Sequence, residues 1–107
     1  MKTIRQGDVL FIPVDAKACN TLPDSKREDG IIQEGEATGH HHKLADLEAA
    51  EVFRPSWGSA SVRVGPLGVS IVHEEHAPVI LAPDTTYTVH IAREYDYLRE
   101  MMRQVRD

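Results

Sequence analysis

Apolar and polar positions alternate along much of this chain at the period of two that belongs to β-strands. Ala60–Val64 places Ala60, Val62 and Val64 on one side, with Ser61 and Arg63 between them. Val69, Ile71 and His73 share a side in the same way, and so do Tyr87, Val89 and Ile91, set against Thr88 and His90. The first two alternating runs are separated by Gly65-Pro66-Leu67-Gly68. Proline presets φ for a turn and Gly68 can take a left-handed position after it, so the segment predicts a β-hairpin. Val9-Leu10-Phe11-Ile12-Pro13-Val14 is a continuous apolar run of strand length, which predicts a core strand. Shorter strands are expected at Ile31–Gln33, Val52–Arg54 and Val79–Leu81. Leu44 to Glu51 suits either one helical turn or the approach to a strand. Residues 15–29 are polar and read as a loop.

The period changes after Arg93. Leu98, Met101, Met102 and Val105 follow the i, i+3, i+4, i+7 spacing of an amphipathic helix, expected over residues 94–106. The chain therefore predicts a mainly β fold. It would be one domain over residues 1–107, a small β-barrel or β-sandwich of about seven short strands with a C-terminal amphipathic helix. A chain of 107 residues, 41% hydrophobic, has room for one core and needs no covalent staple.

Composition removes several function classes. Cys19 is the one cysteine, so no internal disulfide forms, and a lone thiol fits a reducing cytoplasm. It reads as an ordinary loop side chain rather than a catalytic thiol. Met1–Asp8 lacks the apolar stretch of a secretory signal, and no apolar run reaches transmembrane length, so no membrane partner is expected. A formal net charge of −5 argues against a general nucleic-acid binder. Arg99, Arg103 and Arg106 line one side of the predicted helix and offer phosphate contacts, but Asp96 and Glu100 are spaced to pair with them as a solvated face. Trp57, Tyr95 and Tyr97 are expected to pack. There is no glycine-rich phosphate loop, nucleophile elbow or zinc-ribbon cysteine pattern.

The candidate chemistry lies in two histidine-bearing segments, Gly39-His40-His41-His42 and His73-Glu74-Glu75-His76. In an extended chain His40, His42 and Leu44 share one face, and His41 and Lys43 share the other. Leucine seeks the interior and lysine avoids it, so His40 and His42 are the inward pair. Their Cα atoms would lie about 6.6 Å apart, at roughly 3.3 Å rise per residue, a span two imidazoles can close on one ion. His73 is in register with Val69 and Ile71 on the apolar side. His76 falls on the opposite side of an ideal strand, but Glu74–Pro78 is expected to bend, which leaves its direction open. The predicted metal ligands are His40, His42 and His73, with His76 or a carboxylate completing the shell. Zinc is the first choice, and nickel, iron, manganese and copper are alternatives. Glu74 and Glu75 are candidate general bases beside a metal-bound water, against a reading in which both are solvated surface carboxylates. His-Glu-Glu-His lacks the four-residue histidine spacing of zinc-protease helices and implies no protease. His90 reads as outward and incidental.

Three functions follow from these residues. The first is a divalent-metal-binding protein, extending to a metal-dependent hydrolase that acts on a small molecule or phosphoester. The second is a non-catalytic interaction module with structural histidines, and the third an RNA-contacting protein. Homo-oligomerisation is left open. Gln6-Gly7-Asp8-Val9-Leu10, Gly35–His42, His73–Pro78 and Arg93–Tyr97 together resemble a family of small uncharacterised bacterial and phage proteins, a likeness that implies no particular activity. A His-x-His pair followed by a later histidine on a β-fold is also similar in architecture to a cupin metal site. The glutamate spacing that cupins show after the pair is absent, and Pro83-Asp84-Thr85 lacks the glycine of their second motif.

Overall fold

The computed structural model describes residues 2–19, 23–34, 40–56 and 58–92, together with Arg99 and Met101. Ten strands occur among them: β1 (Ile4–Gln6), β2 (Val9–Val14), β3 (Lys26–Arg27), β4 (Ile31–Glu34), β5 (His41–Leu44), β6 (Ala50–Phe53), β7 (Ala60–Val64), β8 (Val69–Val72), β9 (Val79–Leu81) and β10 (Thr86–Ile91). All pairings are antiparallel. One sheet has six strands in the order β1-β2-β10-β7-β6-β3, and the other has four in the order β4-β5-β8-β9. Two separate sheets make this a sandwich and not a closed barrel, so of the two architectures the pattern allowed, the barrel is set aside.

Strand number also exceeds the expected seven. β1 and β3 have three and two residues, too short to show a period. The predicted loop at 15–29 contains β3 and two single-turn 3-10 segments, Ala16–Ala18 and Pro23–Ser25. Asp15 caps the first of these by accepting the Lys17 N–H. No helix of seven or more residues occurs among the described residues. The predicted helix at 94–106 lies outside them apart from Arg99 and Met101, both exposed.

The two inner faces supply the core. Val9 and Phe11 of β2, Val62 of β7 and Tyr87 of β10 come from the larger sheet, and Ile32, Ile71 and Leu81 from the smaller. Alternation is clean in β5 and β8, where every second residue is buried, while in β2 it reaches only Val9 and Phe11. The Tyr87 hydroxyl is not stranded in this core, because it accepts the Ala82 N–H at 3.0 Å.

The predicted β7–β8 hairpin is half right. The turn forms, with Gly68 N–H donating to Gly65 O and Gly68 at φ +74°. The strands it joins do not pair. β7 lies between β10 and β6, whereas β8 lies between β5 and β9 in the other sheet. Alternation states which side of a strand is buried, not which strand lies beside it. Here both apolar sides face one core from opposite sheets.

Candidate metal centre

The register of β5 against β8 creates the site. Lys43 pairs with Val72 and Leu44 with Ile71. Because the strands are antiparallel, the residues before Lys43 and those after Val72 emerge at the same end. His40 to His42 therefore meet His73 to His76. Within β5, His42 and Leu44 are buried, Lys43 is exposed and His41 is half-buried. On its other side β5 pairs with β4 through an irregular register, Ile31 with Lys43 and then Gln33 with His42. The extra residue, Ile32, is wholly buried. A bulge of this kind beside His42 locally re-aims the strand.

His73 is the hub of the cluster. Its ring centroid lies 4.3 Å from that of His42, 4.7 Å from His76 and 5.8 Å from His40. His42 and His76 are nearly parallel and 6.3 Å apart. Two imidazoles bound to one ion at metal–nitrogen distances of about 2.0–2.1 Å place their ring centres roughly 5 Å apart at a tetrahedral angle. The three separations around His73 bracket that value. His40, His73 and Glu74 each offer a ligand atom within 4.8 Å of the others, which makes them a candidate metal-binding group.

Hydrogen bonds orient the rings of His42 and His73. His42 Nδ1 lies 2.8 Å from Gln6 Oε1. The Gln6 amide nitrogen donates to Ile71 O at 2.9 Å and to Ala77 O at 3.0 Å. His40 Nδ1 lies 2.9 Å from Glu75 Oε1. His73 Nδ1 accepts the Glu75 N–H at 3.0 Å, and the Glu74 carboxylate accepts the His41 N–H at 3.2 Å. Gly7 has φ +61°, and a Cβ there would fall 2.5 Å from His76 Nε2, so the exposed His76 ring rests directly on glycine backbone.

Electrostatics follow burial. His42 is 3% exposed, and its pKa is pushed down to about 4, chiefly by burial and then by the neighbouring His73; the Asp8 carboxylate pulls the other way. His42 is therefore a neutral imidazole at neutral pH, the form that ligates metal. Glu74 is fully exposed and sits below the usual glutamate range, held there first by its own backbone N–H and also by that of His41.

The predicted site residues lie near one another, His40, His42, His73 and His76 by ring contact and Glu75 against His40, but the candidate ligand group is His40, His73 and Glu74, without the predicted ligands His42 and His76. His41 contributes its backbone. His90 stands apart, half-buried with Nε2 2.9 Å from Thr88 Oγ1, and burial lowers its pKa. Burial likewise raises the Cys19 thiol, which suits an unreactive side chain. Gln6, Gly7 and Asp8 were missed, because Gln-Gly-Asp has the composition of a plain turn. The one signal in the sequence was a glutamine placed at a strand end just before a glycine, and that is too common to nominate it.

Among the described residues no helix is long and apolar enough to cross a membrane. No curated protein and no solved structure matches the chain. One family model does match, over residues 5–92, a span that contains both histidine segments and the Gln6–Asp8 turn. The chain thus belongs to the family described as a domain of unknown function, DUF8820.

Proposed function

We propose that this protein binds a divalent metal ion through His40, His73 and Glu74, with His42 as a further imidazole ligand and His76 at the rim. The observation that carries this reading is the approach of His40, His73 and Glu74 ligand atoms to within 4.8 Å of one another. A nitrogen-rich set with one carboxylate suits zinc first, and nickel, iron, copper or manganese after it. His73 Nδ1 is engaged by the Glu75 N–H. Loading a metal costs His73 that hydrogen bond or a turn of its ring, of order 1 kcal/mol.

The cluster faces solvent, since Glu74, Glu75 and His76 are exposed. An ion held by His40, His73 and Glu74 alone would keep a position for water, and the chemistry it would supply is activation of that water for hydrolysis of a small molecule or phosphoester; with His42 also bound, a tetrahedral shell is closed. With Glu74 as a ligand, Glu75 is the carboxylate left to accept a proton.

A second reading has its own support. His42 and His73 each have a hydrogen-bond partner at Nδ1, as expected of structural histidines in an interaction module. Elemental analysis separates the two readings, on untagged protein never exposed to a nickel column. One equivalent of metal, lost in the His40→Ala/His73→Ala double variant, is the expected result. Folded protein that neither carries nor takes up zinc, nickel, iron, copper or manganese overturns the metal reading and leaves the structural one.

A further inference from the structure

We infer that Gln6 is the positioning residue of this centre: it fixes neutral His42 with its proton on Nδ1 and so leaves Nε2 as the ligating nitrogen. The second half of this inference rests on the metal reading above, and the first half does not.

The argument is a count of donors and acceptors. A glutamine amide has one accepting oxygen and one doubly donating nitrogen. Gln6 is 2% exposed, so none of these groups is satisfied by bulk water. Its nitrogen faces two carbonyls, Ile71 O and Ala77 O, which can only accept. The amide cannot be turned over, because its oxygen would then oppose both carbonyls. The group facing His42 Nδ1 at 2.8 Å is therefore the oxygen, and Nδ1 must donate. A neutral imidazole with a proton on Nδ1 has its lone pair on Nε2, across the ring from Gln6. In water an unconstrained histidine prefers the opposite tautomer, so Gln6 holds His42 in its minor form. Such outer partners set the tautomer and direction of metal-bound histidines, and their loss typically costs 10- to 100-fold in metal affinity.

The placement is also architectural. Gln6 ends β1, at the edge of the six-stranded sheet, while Ile71 belongs to β8 in the four-stranded sheet. Ala77 lies in the connection from β8 to β9, and β9 is the edge strand against which β1 packs. One side chain thus joins the two sheets and sets the direction of the ligand.

Long-range proton–nitrogen NMR of the imidazoles in metal-free protein at neutral pH reads the tautomer directly. His42, assigned by its loss in His42→Asn, is expected to carry its proton on Nδ1. A proton on Nε2 in the native chain overturns the inference whether or not the protein binds metal. The Gln6→Met variant keeps the length and removes the acceptor. It is expected to release His42 to the Nε2–H form and to weaken zinc binding at least tenfold. Gln6→Glu keeps an acceptor opposite Nδ1 and is expected to retain the native tautomer even where stability falls. If folded Gln6→Met keeps the Nδ1–H tautomer and zinc affinity within twofold of native, Gln6 has no positioning role. If native protein takes up no zinc but shows the Nδ1–H tautomer, the metal reading fails and the orienting role of Gln6 stands.

Discussion

Acid should loosen this fold through His42 before it reaches the carboxylates. The ring is 3% exposed and its pKa is near 4, against an ordinary value of 6.5. Below the ordinary value the unfolded chain takes up a proton that the folded chain refuses. The stability His42 protects is therefore complete above that value, declines as pH falls, and is fully lost once pH passes the folded pKa. The full gap corresponds to about 3 kcal/mol, and the part lost between about pH 7 and about pH 5 to about 2 kcal/mol. The assay is urea unfolding of metal-free protein, with chelator present, at both pH values. His42→Asn serves as the control, because its amide nitrogen can stand where Nδ1 does but does not titrate. Native protein should lose about 2 kcal/mol across that window and the variant far less. His90 is also held below its ordinary pKa by burial and contributes in the same direction, which is why the difference between native and variant is the quantity to read. Equal losses in the two proteins would refute the reasoning, as would a native loss below about 0.5 kcal/mol.

Three further outcomes follow from named contacts. Gly7→Ala puts a side chain at φ +61° and drives a methyl into the His76 ring; it should cost about 1–2 kcal/mol in urea unfolding and displace His76, visible as a shifted imidazole resonance. Ile71→Ala empties a wholly buried position between the sheets and should cost roughly 2–5 kcal/mol, whereas Leu67→Ser, at a position 91% exposed, should change stability by less than about 0.5 kcal/mol. Glu51 pairs with Lys26 at 3.5 Å and Arg63 at 3.2 Å on the surface, so Glu51→Gln should cost under about 1 kcal/mol, and the difference should shrink further in high salt.

The sequence was most readable where one strand decides the outcome alone. The apolar run at Val9–Val14 matches β2 residue for residue, and alternation from His41 to Leu44 matches the burial of His42 and Leu44 and the exposure of Lys43. It was least readable where partners decide. Nothing in Ala60–Val64 or Val69–Val72 states that these strands sit in opposite sheets. The same limit applied at the site. Histidines were visible by residue type and strand parity, and their meeting depends on the β5–β8 register, which periodicity does not encode. Gln6 escaped notice because its role lies in three hydrogen bonds, to residues far along the chain, and not in its neighbours.

The pairing of β2 with β10 aligns Val9 with Ile91 and Val14 with Thr86. Among the described residues β2 is thus closed by the final strand, β10, and during synthesis Phe11 stays without its Val89 partner until nearly all of the described chain has emerged. Contacts so distant in sequence slow folding. The histidines themselves meet within the smaller sheet, through β5 and β8, whereas Gln6 reaches them from the larger sheet and so joins the cluster only when both sheets exist.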